Sequence, residues 1–128
     1  MTGHGGCVLV VDDEMLIALS LTDTMERMGF DVCGTAATAR RAIELADAHR
    51  PILVLMDVRL KGEEDGVDAA IAIHQRQGIP VIFITGSREQ ATIDRIHRDH
   101  PSGLLIKPVL PHQLKAAVEK VLGPLSAP

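Results

Sequence analysis

The apolar run at positions 52–56, followed directly by Asp57, is the feature that most limits how this chain can fold. Consecutive apolar residues without a polar interruption predict a strand that is buried on both faces. Such strands belong to parallel sheets that have helices packed on either side. A lone aspartate after a strand often serves only as a helix cap, so the interpretation of Asp57 depends on what the other strands bring beside it.

Four more segments, at 7–11, 30–36, 80–84 and 103–106, are typical of strands, and a segment of helical periodicity follows each strand. Strand–helix units in alternation predict an α/β fold with a parallel sheet and right-handed crossovers. The length of 128 residues suits one domain. We expect that domain to span 7–122, with flexible tails at 1–6 and 123–128.

Local signals predict where several helices begin and end. Thr38 is expected to cap the second helix, and residues 87–90 have the capping-box pattern for the fourth. Gly29 and Gly78 are expected to end helices, whereas Gly66 is expected to permit an unusual backbone turn. The fourth helix has the sparsest apolar stripe, which predicts weak packing on the sheet.

The composition argues against nucleic-acid and membrane partners. The formal net charge is −4 and aromatic residues make up 2%, which leaves neither a basic footprint nor a stacking platform for nucleic acid. No apolar run is long enough to span a bilayer, and the start of the chain has no signal-peptide pattern. We therefore expect a cytoplasmic protein.

Cys7 and Cys33 form neither a CxxC nor a zinc-binding pattern. Both lie in apolar strand-like segments, so we interpret them as buried free thiols in a reducing cytoplasm. Oxidation could pair them if their strands are adjacent.

Polar residues of complementary chemistry follow the predicted strands: Asp12 and Asp13, then Asp57, Thr85 and Lys107. In a parallel sheet of this class, ligands bind beyond the carboxyl ends of the strands. Carboxylates gathered at one edge would repel one another, and Mg²⁺ relieves such repulsion by taking oxygen ligands. Acids, a cation site, a lysine and a threonine together predict a site for a phosphoryl group.

Each residue has an expected role at that site. Asp57 is the predicted nucleophile, since an aspartate carboxylate can form an acyl phosphate. Asp12 and Asp13 would hold Mg²⁺, and Lys107 would pair with Asp57 or with phosphoryl oxygens. Thr85 would donate a hydrogen bond to a phosphoryl oxygen and so report its presence.

With these motifs, at 10–14, 55–57, 82–86 and 105–108, the chain resembles the receiver domains of two-component response regulators. The resemblance implies a (βα)5 flavodoxin-like three-layer sandwich with parallel strand order 2-1-3-4-5. It implies Mg²⁺-dependent phosphotransfer onto Asp57 from a sensor histidine kinase or a histidine phosphotransfer protein. The backbone carbonyl of Arg59 would be a further metal ligand, and the Lys107–Pro108 bond would be cis. Such a domain is not an enzyme beyond its own phosphorylation and dephosphorylation.

Two departures concern switching. Leu104 stands where family members often carry an aromatic residue, so the usual threonine–aromatic switch is not expected. The segment 83–86 is similar to the Phe-x-Thr-Gly motif of a receiver subgroup, mainly alphaproteobacterial, that has an atypical fourth helix. We predict that residues 88–98 form the mobile, regulated element. The face built from the fourth helix, fifth strand and fifth helix could form a homodimer, which an outward Leu104 would favour.

Three alternatives remain. A non-phosphorylated interaction module, or pseudo-receiver, would bind a signalling partner without turnover. A hydrolase with an aspartyl-phosphate intermediate is disfavoured, because Arg59 stands where such enzymes usually carry a second aspartate. A flavodoxin is disfavoured because the chain has no hydroxyl-rich phosphate loop, Trp or Tyr. We expect a stand-alone module, although a fragment of a larger regulator would carry the same signals.

Overall fold

The computed structural model of the chain describes residues 6–86, 90–98 and 101–124. The predicted alternation of strands and helices is confirmed. In chain order the elements are β1 (Cys7–Val11), α1 (Met15–Arg27), β2 (Asp31–Ala36), α2 (Ala39–His49), β3 (Leu53–Met56), α3 (Gly66–Gln77), β4 (Val81–Thr85), α4 (Gln90–Arg98), β5 (Gly103–Ile106) and α5 (Pro111–Leu122). The capping box predicted at 87–90 and most of both predicted tails lie outside the described residues.

The strands form one parallel sheet in the order β2-β1-β3-β4-β5, as predicted. Val11 pairs with Met56, and Met56 pairs in turn with Phe83, so β1, β3 and β4 end close to one level. The residues that follow these strands therefore meet at a single edge of the sheet. Among the described residues, no helix has the length and apolar character needed to cross a membrane.

Two apolar cores lie on opposite faces of the sheet. Side chains alternate along each strand, so Leu53 and Leu55 of β3 face one side while Val54 and Met56 face the other. Helices α1 and α5 cover the first side, and α2, α3 and α4 cover the second. The buried helix residues include Ala18, Leu21, Met25, Leu114 and Val118 on the first side, and Ala42, Ala46, Ala69, Ile73 and Ile96 on the second.

The predicted helix ends are confirmed at three positions, and one glycine has a different role. The Thr38 hydroxyl accepts a hydrogen bond from the Arg41 N–H at 3.0 Å. Gly29 and Gly78 adopt φ of 93° and 66°, as expected beyond helix ends. The prediction of an unusual turn at Gly66 was wrong, because Gly66 opens α3 without a positive φ. Glycine is required there because a side chain would overlap the backbone carbonyl of Asp57.

The prediction that Cys7 and Cys33 are free thiols was wrong, because the structure joins them in a disulfide bond. Their strands, β1 and β2, are adjacent, and the two Cα atoms lie 5.3 Å apart, within the range that a disulfide can bridge. The register shifts between Val8 and Leu9, which leaves Cys33 as an extra residue of β2.

Helix α4 is held to the rest of the domain mainly by two neighbouring residues. Ile96 is its only buried residue. Arg95 donates to Asp65, the N-cap of α3, with Nη1 2.7 Å from Oδ2, and its Nη2 lies 3.5 Å from Oδ1 of Asp68. This scarcity of packing agrees with the sparse apolar stripe seen in the sequence.

Candidate functional site

Backbone hydrogen bonds place the predicted site residues at the carboxyl edge of the sheet. The Asp12 N–H donates to Ala36 O at 2.9 Å, and the Asp57 N–H donates to Val11 O at 2.9 Å. The Lys107 N–H donates likewise to Thr85 O at 2.8 Å. Each strand thus continues its ladder for one residue beyond its end. This continuation fixes the backbone from which each functional side chain projects.

Three carboxylates converge at this edge. One oxygen from each of Asp12, Asp13 and Asp57 lies within 4.8 Å of the others. Asp12 and Asp57 are buried, whereas Asp13 is half-exposed and leaves the cluster open on that side. A set made only of oxygen donors fits a hard divalent cation such as Mg²⁺, which is commonly held by one or two carboxylates together with phosphate oxygens.

Lys107 supplies the positive charge of the cluster. Its Nζ lies 3.0 Å from Oδ2 of Asp12 and 3.1 Å from Oδ2 of Asp57. A single ammonium cannot neutralise three carboxylates, so the described cluster retains an excess of negative charge. This excess is a second reason why the donor set fits a divalent cation.

The pKa values of Asp57 and Lys107 are both raised, but for different reasons. Burial raises the pKa of Asp57 and the charge of Asp12 adds to this effect, while the hydrogen bond from Lys107 opposes it; the net shift is upward. Burial lowers the pKa of Lys107, but its hydrogen bonds to Asp12 and Asp57 outweigh that effect and the net shift is again upward. Lys107 is thereby kept charged, as a partner for phosphoryl oxygens must be.

Thr85 and Arg59 lie beside the cluster in different ways. Thr85 is buried at the end of β4, next to the backbone of Lys107. The Arg59 side chain is exposed, and the backbone of Arg59 is the weakest of the influences that lower the pKa of Asp57 against the larger effect of burial. The Lys107–Pro108 bond is cis, as predicted.

Sequence reasoning missed two supporting contacts at the site. The Glu14 N–H donates to Oδ1 of Asp12 at 2.9 Å, which fixes the orientation of that carboxylate. The close approach of Gly66 to the Asp57 carbonyl joins the first turn of α3 to the central aspartate. The first contact is a local turn typical of aspartate and could have been anticipated, whereas the second depends on tertiary structure.

An exposed apolar surface lies next to the cluster. A groove of about 500 Å³ runs between α1 and the segment after β5, and Leu16, Ile17 and Lys107 are among its lining residues. On α1, Leu16 and Met15 are 82% and 75% exposed. Both residues lie outside the buried stripe of α1, so these exposed apolar residues could have been recognised from the sequence. Exposed apolar residues that cluster in this way are typical of a protein-binding surface.

The fold and the acidic cluster at the strand ends are typical of the signalling domains of two-component systems. Residues 8–119 match the family described as the response regulator receiver domain, and the chain belongs to this family. Receiver domains are signalling modules rather than conventional enzymes.

Particular relatives agree with this assignment. The chain is 32% identical over 112 residues to the transcriptional regulatory protein PdtaR of Mycobacterium tuberculosis, which covers 88% of this chain and 54% of PdtaR. It is 34% identical over 116 residues to the phyllosphere-induced regulator PhyR of Methylorubrum extorquens, covering 90% of this chain and 43% of PhyR. The chain therefore spans about half the length of these curated relatives.

Among solved structures, the chain is similar to the signal receiver domain of a modulated diguanylate cyclase from Desulfovibrio desulfuricans. The TM-score is 0.86 with 35% identity, over 91% of this chain and 93% of that one.

Proposed function

We propose that this receiver domain is a phosphoacceptor, with Asp57 as the phosphorylated residue and Mg²⁺ as the required cation. One observation carries the proposal: the carboxylate of Asp57 lies in a single cluster with two other carboxylates and the Lys107 ammonium. Strand-end carboxylates could each cap a helix or form an ion pair alone. Their convergence with excess negative charge is costly to the apo protein and is best explained by a cation and a phosphoryl group.

The proposed reaction is a transfer from phosphohistidine. A carboxylate oxygen of Asp57 attacks phosphorus as the P–N bond breaks, and the bonding electron pair returns to the imidazole nitrogen, which takes up a proton. Lys107 is placed to follow the charge, exchanging its bond to Asp57 for one to a phosphoryl oxygen. The hydrogen bond from Lys107 opposes the effect of burial on the pKa of Asp57 and so favours the ionised nucleophile.

The remaining roles at the site are part of the same proposal. A Mg²⁺ ion held by Asp12, Asp13, Asp57 and the Arg59 carbonyl would offset the negative charge of the phosphoryl oxygens. Thr85, buried one strand away from Asp57, would donate its hydroxyl proton to a phosphoryl oxygen. That bond would draw the end of β4 toward Asp57.

The proposed donor is a sensor histidine kinase or a histidine phosphotransfer protein in the cytoplasm. The groove between α1 and the segment after β5 supports a protein donor, because Lys107 belongs both to its lining and to the acidic cluster. A protein bound there would have its phosphohistidine beside Asp57. Homodimerisation through α4, β5 and α5 stays a prediction; Leu104 is half-buried against the core rather than fully outward, which weakens it.

Intact-mass measurement tests the phosphoacceptor role. Wild type and Asp57→Ala are incubated with acetyl phosphate, with and without Mg²⁺. We expect a single phosphoryl adduct on wild type that requires Mg²⁺ and is absent from the variant. Asp47→Ala, which removes an exposed carboxylate on α2, is the matched control and should be modified like wild type.

A second candidate, a pseudo-receiver that binds its partner without turnover, is favoured by one observation. The exposed apolar residues of α1 do not belong to the acidic cluster, so a partner could bind them without any phosphoryl transfer. Failure to form an adduct with any small phosphodonor or divalent metal, combined with binding of a phosphotransfer protein by the unmodified chain, would favour this reading.

A further inference from the structure

We propose that Cys7 and Cys33 form a thiol–disulfide exchange site that reacts with small-molecule thiols and disulfides and controls how firmly β2 is attached to β1. The pair lies away from the acidic cluster, since Cys7 begins β1 while Asp12 follows its end. Both cysteines are half-buried rather than enclosed, so a small reagent can approach them. They are the only cysteines of the chain, so no other thiol competes for either partner.

A covalent link matters at this position because β2 is a weak edge strand. Among the described strands it pairs only with β1, and Ala36 is its one buried residue. It contains Asp31 and Gly34, and aspartate and glycine both have low strand propensity. An edge strand with so little apolar packing depends on its backbone ladder, and the disulfide closes the chain across that ladder. Reduction should therefore loosen β2 before other strands.

Loosening of β2 would reach the acidic cluster through three contacts. Ala36 O accepts the hydrogen bond from the Asp12 N–H at 2.9 Å. Ala37 O accepts from the Lys61 N–H at 3.0 Å, in the segment that follows Asp57. A cavity of about 80 Å³ is lined by Thr35 of β2 together with Asp12 and Asp13. The carboxyl end of β2 thus forms one wall of the candidate metal site.

The exchange reaction balances without a metal or an enzyme. One cysteine thiolate attacks a small disulfide such as oxidised glutathione and releases one glutathione thiolate. The second cysteine thiolate then attacks the mixed disulfide and releases the other. Two protein thiols are oxidised and one small disulfide is reduced to two thiols. In a reducing cytoplasm such a bond is expected to be reversible rather than permanent.

The first experiment counts thiols. The 128-residue chain is equilibrated with reduced and oxidised glutathione at several ratios, denatured in N-ethylmaleimide and analysed by intact-mass spectrometry. We expect two adducts under reducing ratios and none under oxidising ratios, with full reversal on return to reductant. In Cys7→Ser and in Cys33→Ser, the one remaining thiol should carry either an N-ethylmaleimide adduct or a glutathione. Two adducts at every ratio, or a bond that reductant cannot open in the folded chain, would overturn the proposal.

The second experiment measures hydrogen exchange by mass spectrometry on the oxidised and reduced wild type and on Cys7→Ser. Exchange in residues 31–36 should be about tenfold slower in the oxidised protein than in the other two, with residues 81–85 changed much less. Equal exchange of β2 in all three samples would contradict the proposal that the disulfide holds β2 to β1. Use of reduced wild type keeps the test valid if the variant is unstable.

The consequence for the metal site rests on the function proposed above and is tested separately by Mg²⁺ titration calorimetry. We expect the Kd for Mg²⁺ to be at least about threefold lower in the oxidised protein than in the reduced protein. Equal Mg²⁺ affinity in both redox states would show that the disulfide does not influence the candidate metal site. If neither state binds Mg²⁺, the proposed function fails while the exchange site stands on the first two experiments.

Discussion

The ammonium Nζ of Lys107 lies 3.1 Å from Oδ2 of Asp57, although the two residues are 50 positions apart in the chain. The contact joins the segment after β5 to the segment after β3, across the intervening strand β4. Asp12 shares the same ammonium, so one cation links three separate strand ends. Substitution of any member should therefore change the balance of charge at the whole site.

Loss of the Lys107 ammonium should make stability depend on Mg²⁺. In Lys107→Met, Asp12 and Asp57 keep their charges but lose their shared partner. We expect the free energy of unfolding to fall by about 2 kcal/mol in metal-free buffer and to recover largely in saturating Mg²⁺. Denaturant titration with and without Mg²⁺ measures both values. Lys115→Met, an exposed site on α5, is the control; an equal loss in both buffers for Lys107→Met would contradict the account.

Removal of the Asp57 charge should stabilise the metal-free protein. The fold holds the pKa of Asp57 above its ordinary value, so the folded state binds that proton more tightly than the unfolded chain does. At pH values above the pKa of Asp57 in the folded protein, the ionised carboxylate lowers the free energy of unfolding. This loss of stability disappears as the pH falls below the ordinary pKa of an aspartate. Asp57→Asn should therefore raise the free energy of unfolding at neutral pH by about 1 kcal/mol, a rise of several degrees in Tm.

Thermal unfolding in chelator across pH tests this sign. The difference between Asp57→Asn and wild type should shrink as pH falls, and Mg²⁺ should stabilise wild type much more than the variant. Asp23→Asn, at an exposed ion pair on α1, should change Tm little at any pH. If Asp57→Asn is less stable than wild type in chelator at neutral pH, the ionised Asp57 carboxylate stabilises the metal-free fold, which would contradict this prediction.

Gly66→Ala should destabilise the fold through steric overlap with the Asp57 carbonyl. We expect a loss of about 2–3 kcal/mol, because the first turn of α3 must move away from β3. Gly34→Ala is the matched control, since a methyl group there would make an ordinary contact with Leu45. Urea titration of both variants measures the difference. Equal stability of the two would mean that α3 can shift at no cost.

Leu16→Ser should separate protein donors from small donors. The side chain is 82% exposed and lies beside the site without contributing to the acidic cluster, so transfer from acetyl phosphate should be unchanged. Transfer from the fastest of a panel of phosphorylated histidine phosphotransfer proteins should slow about tenfold. Gln75→Ser, exposed on α3 across the sheet, is the control. Equal rates for wild type and Leu16→Ser with every protein donor would place donor binding elsewhere.

Arg95→Gln should loosen α4. The guanidinium joins α4 to the capping residue of α3, and only Ile96 of the helix is buried. Hydrogen exchange in residues 90–98 should accelerate about tenfold, while Arg98→Gln on the same helix should leave it unchanged. Asp65→Asn keeps a good helix cap and should produce the same acceleration. If Arg98→Gln has the larger effect, the ion pair does not hold the helix.

Much of the fold could be predicted because its signals are local. The strands β1, β3 and β5 are short apolar runs, and Asp12, Asp57 and Lys107 directly follow them, so strand assignment and site assignment were the same step. The convergence of Asp12, Asp57 and Lys107 then follows from the common direction of parallel strands. The family resemblance supplied the strand order, which the runs alone leave open.

What could not be predicted depends on contacts between distant segments. The Cys7–Cys33 bond requires both the adjacency of β1 and β2 and the extra residue in β2. The Arg95–Asp65 pair joins residues 30 positions apart on the surface, where no periodicity constrains the partner. Gly66 carries a turn signal in the sequence, but its real constraint is a carbonyl from another element.

The most direct test of the central claim is transfer of a labelled phosphoryl group from a phosphohistidine donor in Mg²⁺, followed by peptide mass spectrometry to locate the label. We predict a hydroxylamine-sensitive acyl phosphate on Asp57 alone, which chelator prevents. Label on another residue, or transfer that proceeds equally in Asp57→Ala, would contradict the assignment of Asp57 as the phosphoacceptor.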